Sequence, residues 1–466
     1  MGVGRGMRQT WIALTVAGLA FGLGAPAGAQ TLARVDPSFG NGGHLFTPLA
    51  SGLSGPRSSR VAVDSRGRLV ALGSAGDHLV LARYLPDGEL DSSFGLGGLT
   101  SITPSNEAGE RENDEARAGA LVIQPDGMIL LGGSYDPDLV IEGGSGSAEL
   151  ILARVREDGD VDLGFGGGAR KGVPPGIAIE RRGTKAFAIA VEAGEILVGG
   201  ETRSGDPFVA RYSPDGTLDK GFGRGTGMVS MGRGQARGAI TSLRAEPGGG
   251  LYAAGYLGGK FLLARLSRSG LPDRRFGKRG RVLTDAGPRK GCSCSLGGGL
   301  ARDRRGRLLV SGTVLKDRPT GPVDPERLLG AEAVAVARYS PSGALDRRFG
   351  EEGVARTRIG ALTHGWGIAL RHDGGIFVAG SSANSINGPA RLAVVGYRPD
   401  GSRDRRFFGD GIYSAALGAY SSRAWQPVVD RSGRVVVAGS AALSSGLRPE
   451  PASQGLLLTR FLMPPG

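Results

Sequence analysis

Seven times the chain writes Asp-x-x-Phe-Gly or a near copy: Asp36–Gly40, Asp91–Gly95, Asp162–Gly166, Asp219–Gly223, Asp273–Gly277, Asp346–Gly350, and Asp404–Phe407 with one residue inserted before Gly409. A motif recurring in this way marks small units, none able to bury its own apolar face, that stack on copies of one another. The repeat therefore constrains the architecture, and it leaves the chemistry open.

Around each Phe-Gly the apolar runs are short and bounded by Gly, Pro or Asp, with no helical spacing. In the second unit, Leu99–Thr103, Ala120–Ile123, Met128–Leu131 and Leu150–Val155 read as four successive strands. Gln124-Pro125-Asp126-Gly127 supplies the tight turn between the second and third. Each unit is thus expected to be a four-stranded antiparallel meander. Its third strands (Leu308–Gly312, Val435–Gly439) and fourth strands (Leu81–Tyr84, Val336–Tyr339) are nearly continuous apolar runs, which implies burial on both faces. Sheets stacked face to face around an axis meet that requirement, so the chain reads as all-β, a seven-bladed β-propeller. The last unit, ending at Met463–Gly466, lacks a corner of its own, and the spare copy lies at Val35–Gly40. The N-terminal segment is expected to dock after the last blade and close the ring, removing an exposed sheet edge.

The combined pattern of a Pro-Asp-Gly turn, an apolar strand ending in Gly, Leu-Ala-Arg-Tyr and Leu-Asp-x-x-Phe-Gly resembles the delta-sixty repeat, a bacterial β-propeller domain of unknown function. The resemblance covers the chain from residue 30 onward. Departures are Gly396, where the fourth-strand Arg is expected, and Arg-Gly in place of Asp-Gly at Arg66-Gly67 and Arg305-Gly306. Since that family has no agreed activity, the resemblance implies a fold and no catalytic residues.

Residues 1–29 read as a secretory signal: Arg5 and Arg8, an apolar run from Trp11 to Gly24 too short for a bilayer, then Ala27-Gly28-Ala29. Cleavage near Ala29 would release residues 30–466, a single propeller domain, to the extracytoplasmic side. Two of the 57 basic residues and none of the 44 acidic ones lie in the signal, so the remainder carries an excess of 11 positive charges. That excess suits acidic envelope polymers and also fits a generally Arg-rich composition; nucleic acid is not the expected partner. Cys292 and Cys294 are the only cysteines, so a disulfide framework is excluded and the pair alone makes no zinc site.

Residues that recur serve the repeat. Phe39, Phe94, Phe165, Phe222, Phe276, Phe349 and Phe407 are expected to plug the space between blades, and Arg83, Arg154, Arg211, Arg265 and Arg338 to bond the corner Asp or nearby carbonyls. Function is expected where the repeat breaks. Arg274-Arg275, Arg347-Arg348 and Arg405-Arg406 would form a basic arc on one face, or a solvated rim. The opposite face carries the long loops Pro104–Arg117, Tyr135–Glu149, Asp285–Gly297, Leu315–Glu332 and Ser382–Ala390. Trp366 and Trp425 enter at matching points of adjacent units, where others place Ser59, Gly119, Ala186, Thr241 and Gly298. Side-by-side indoles make a stacking platform for a sugar or else pack between blades. No cofactor or metal is expected, although Asp136, Asp138 and Glu142 have calcium-ligand chemistry. The chain is accordingly read as a secreted binding or interaction module; the alternatives are an extracytoplasmic carbohydrate-active lyase or hydrolase, or adhesion to anionic envelope polymer by charge.

Overall fold

A computed structural model describes residues 32–464 apart from 50–58, 105–114, 137–147, 167–172, 181–183, 233, 235, 289–293, 317–329, 386–387, 419–420 and 443–453. Every regular element among them is a strand, gathered into seven antiparallel sheets. The innermost strands of blades one to seven are Arg60–Val63, Glu115–Ile123, Lys185–Glu192, Gly238–Ala245, Cys294–Arg302, Leu362–Leu370 and Ser421–Val429. Each contacts the innermost strands of both neighbouring blades, including the seventh with the first, so the chain is a closed seven-bladed β-propeller.

The pairing shifts the phase of the repeat by one strand. Leu99–Ile102 pairs with His78–Tyr84, through partners such as Leu79 and Ile102, so it is the outer strand of blade one and not the first strand of blade two. The cause is local. The Asp-x-x-Phe-Gly corner is a tight turn that folds the chain back beside the strand it has just left, and the longer segment that follows crosses to the next blade. Blade seven draws on both ends of the chain: His44–Pro48 pairs with Gln454–Leu462 as its outer strand, and Arg34–Val35 continues along the same edge.

Between blades lies the core. One cluster, for example, joins Val70, Leu72 and Phe94 of blade one to Ile129, Leu131 and Ile151 of blade two. The second strand of blades one, two, four, five and six is buried along its whole length except at one terminal residue of blade two. All seven corner phenylalanines are between 0 and 2% exposed. Each such ring removes apolar surface worth about 2–3 kcal/mol from water.

The corner aspartate holds two things at once. In blade one, Oδ1 of Asp91 accepts the Ser93 amide at 3.1 Å and caps the turn, while the Phe94 amide donates to the Asp91 carbonyl. Its Oδ2 accepts Nε of Arg83 at 2.8 Å. The same Nε to Oδ2 bond joins Arg154 to Asp162, Arg211 to Asp219, Arg338 to Asp346 and Arg460 to Asp36, at 2.6–2.9 Å. These five guanidiniums lie 4.3–5.1 Å from the corner phenyl centroid. Each also donates to a main-chain carbonyl of the following blade: Glu157, Pro214, Arg268, Pro399 and, across the chain ends, Pro86. The repeated Arg is thus a latch between blades.

Two junctions depart from this scheme. Arg265 stays within blade four, bonding Glu246 at 3.0 Å and lying over Tyr252 rather than Phe276. At blade six, Gly396 removes the latch, and a Cβ there would sit 3.1 Å from Phe407. Arg406 takes over Asp404, with Nε at 3.0 Å and Nη2 at 2.9 Å. Nor is a residue inserted in that corner. The Gly411 amide donates to the Phe407 carbonyl as Gly98 does to Phe94, so Phe408 stands at the usual glycine position, with φ of 51°. Such a backbone costs a phenylalanine about 1–2 kcal/mol. Ring contacts of Phe408 with Phe407, Tyr413 and Phe461 at 4.8–5.8 Å offset it.

Candidate functional site

Near the middle of each innermost strand except the shortest, in blade one, the register to the second strand slips at a β-bulge. Bulges in inner strands re-aim side chains. Counted back from the turn, the bulge level holds Gly119, Phe187, Thr241, Gly298, Trp366 and Trp425, with Ser59 at the matching place in blade one. Sequence counting put Ala186 in the blade-three place and missed Phe187. The turn of that blade, Ala193-Gly194, is shorter, since Glu192 pairs with Glu195 where Ile123 pairs with Ile129.

Phe187 and Trp366 pack on a cluster of Ala239, Tyr256, Leu296, Leu315 and Ala331, drawn from blades four and five. Only the centre of the ring brings residues of blades three to six together. Trp366 is half-buried and Trp425 is 6% exposed, with ring centroids 5.2 Å apart and planes tilted by 31°. His364 stacks on Trp366 at 5.6 Å and 12°. The backbone beneath is pinned by blade five: Ser311 Oγ donates to the Trp366 carbonyl at 2.6 Å, and Thr313 Oγ1 bonds both the amide and the carbonyl of Gly365. A Cβ on Gly298 would come within 2.4 Å of that Trp366 carbonyl oxygen, so this strand approach needs glycine.

Three polar atoms at these levels find no partner: Ser59 Oγ, Trp366 Nε1 and His364 Nδ1 are sealed from solvent and unbonded. His364 is 9% exposed, and burial followed by the charge of Arg423 pushes its pKa down to about 4. Two residues nearer the strand starts than the bulge stand Arg117, Lys185, His364 and Arg423. Arg117 pairs with Glu115 at 2.9 Å and Lys185 with Glu201 at 3.3 Å. Arg423 has no carboxylate partner among the described residues.

On the face carrying the short turns, a cleft of about 500 Å³ opens between blades one and two and reaches Val429 and Arg431 of blade seven. Its guanidiniums are largely engaged. Arg66 and Arg68 meet Glu157 at 3.0 and 2.9 Å, and Arg68 also meets Asp64 at 2.5 Å. Of the basic arc, Arg274, Arg275, Arg347, Arg348 and Arg405 are exposed, and Arg406 is taken up by Asp404. Most of the long loops, with Asp138, Glu142 and Cys292, lie outside the described residues. Among the described residues no group of three His, Cys, Asp or Glu is placed to hold a metal ion.

Segments 67–94, 124–165, 194–222 and 372–407 match the family described as a domain of unknown function (DUF5122) beta-propeller. No curated protein matches the chain. Among solved structures, a polysaccharide lyase described as PL25 ulvan lyase is 11% identical over 90% of this chain and 96% of its own, with a TM-score of 0.46. A streptogramin B lyase is 10% identical over 89% and 96%, with a TM-score of 0.44. An alpha-L-arabinofuranosidase from Fusarium graminearum, in complex with an iminosugar inhibitor, is 10% identical over 90% and 97%, with a TM-score of 0.42. These likenesses are too distant to carry chemistry across.

Proposed function

As a repeat β-propeller that fits the DUF5122 type, this chain is, we propose, an extracytoplasmic binding module whose ligand is a saccharide seated in the central channel against Trp366. The observation that carries this reading is the bulge level itself. Three aromatic side chains, Phe187, Trp366 and Trp425, stand at one level of the innermost strands, and Phe187 of blade three and Trp366 of blade six meet the same small cluster of blades four and five. An indole that is only half-buried, with its N–H left unbonded, is a poor core residue, and the part of its ring that stays open is a stacking surface. The apolar face of a sugar ring suits that surface.

The five exposed arginines of the arc support a second reading, adhesion to anionic polymer through the turn face. A glycan-binding screen of the full chain at low and high salt separates the two. Trp366→Ala is expected to weaken binding about tenfold or more with little change in melting temperature. Binding that survives this substitution but disappears in salt, or when Arg274, Arg347 and Arg405 are replaced by Gln, would place the ligand on the arc instead.

A further inference from the structure

The channel wall is not neutral. Of the basic residues one step above the aromatic level, Arg117 and Lys185 are each matched by a glutamate. Arg423 is half-buried, is unmatched among the described residues, and lies near enough to His364 to be felt there as charge. Arg423 and Trp425 stand two residues apart on one strand and His364 and Trp366 likewise on the next, so one stretch of neighbouring innermost strands carries a guanidinium and the half-buried indole of Trp366. A second guanidinium, Arg60, stands on the innermost strand of blade one. It donates to the Ser59 carbonyl at 3.2 Å and meets no carboxylate among the described residues. Burial lowers its pKa to about 10, which leaves it charged at neutral pH.

A half-buried guanidinium without a carboxylate is costly unless something anionic satisfies it. Structural arginines in this molecule show the contrast, since all five latch arginines bond a corner aspartate. We propose that the saccharide taken by this channel is acidic, with its ring on Trp366 and its carboxylate on Arg423, and that Arg60 adds attraction further along the wall. The inference rests on the channel reading above and adds the ligand's charge to it.

Trp11, Trp366 and Trp425 are the only tryptophans of the chain. A full-length Trp11→Phe protein therefore carries indoles at the proposed site alone, and its emission reports on that site. The titrants are galacturonic acid oligomers, the same oligomers as methyl esters, and neutral galactose oligomers. The acid is expected to bind about tenfold tighter than its ester, as a charge-assisted bond to a guanidinium implies. Arg423→Gln should bring the acid down to the ester's affinity while leaving the ester within about twofold, and Arg60→Gln should have a smaller effect of the same sign. Arg347→Gln, on the outer arc, should change neither.

Iodide quenching of the same emission, referenced to acrylamide, needs no saccharide. It should fall in Arg423→Gln and stay constant in Arg347→Gln. Equal binding of acid and ester, or iodide quenching indifferent to Arg423, overturns the charge assignment and leaves the channel reading standing. Glycan binding that leaves the emission unmoved and persists in Trp366→Ala overturns both.

Discussion

Arg460 and Asp36 are each at most 2% exposed and join residues from opposite ends of the chain. Arg460→Ala would leave the buried Asp36 carboxylate with only the more distant Arg434 guanidinium, at 3.8 Å, a loss of about 3 kcal/mol. Arg265, 36% exposed and bonded only within its own blade, should cost under about 1 kcal/mol when changed to Ala. Comparing the two melting temperatures tests whether the latch acts between blades. Acid should act in two stages. His364 is neutral in the fold with a pKa near 4, against 6.5 for the free side chain. Between those values the unfolded chain binds the extra proton, so stability falls as pH drops from 6.5 toward 4, by on the order of 3 kcal/mol. Burial raises the pKa of Asp36, Asp91 and Asp346, but turn amides, serine hydroxyls where present, and the latch arginines outweigh it and hold all three below the ordinary value. Their contribution is present above pH 4 and is lost as pH falls through the lowered values. Denaturant melts from pH 7 to 3 should show both stages, and His364→Phe should remove only the first.

At the scale of elements, the same antiparallel strand pattern is used for two purposes. The two middle strands of each blade bury both faces against neighbouring blades, while the innermost strands of blades two to seven break register at a bulge and turn side chains toward the centre. The close approach of blades five and six depends on Gly298. Gly298→Ala should push the Trp366 backbone by several tenths of an ångström, cost about 1–3 kcal/mol, and shift the indole emission. An unchanged spectrum and melt would show that the strand tolerates the side chain and that the bulge does not depend on the glycine.

For the whole molecule, closure is the central device. His44–Pro48 completes blade seven, and the Asp36 corner supplies the latch that sequence order denies to the last unit. Removing residues 32–48 should uncover the edge of Gln454–Leu462, giving an open ring that unfolds at lower temperature and associates through that edge. Light scattering coupled to size exclusion would detect the association. A monomer with native stability would show that the seventh blade holds without its borrowed strand.

Much of this was legible from residues alone, because the repeat states one local rule many times. Asp followed three places later by Phe marks a capped turn and a buried plug wherever it occurs, and seven copies imply a ring with a borrowed corner. What one sequence could not express was relation between units. Which blade owns the strand after each corner depends on hydrogen bonds to a strand already laid down. The latch carbonyls belong to a neighbouring blade about 60 residues away, as from Arg154 to Pro214. Phe187 stayed hidden because a shortened turn moved it one place out of the count. Arg423 looked like any other arginine until the fold set it, without a carboxylate among the described residues, near His364, which stacks on Trp366. Local chemistry is written in sequence order, whereas the company a side chain keeps at the centre of a ring is decided only when distant strands meet.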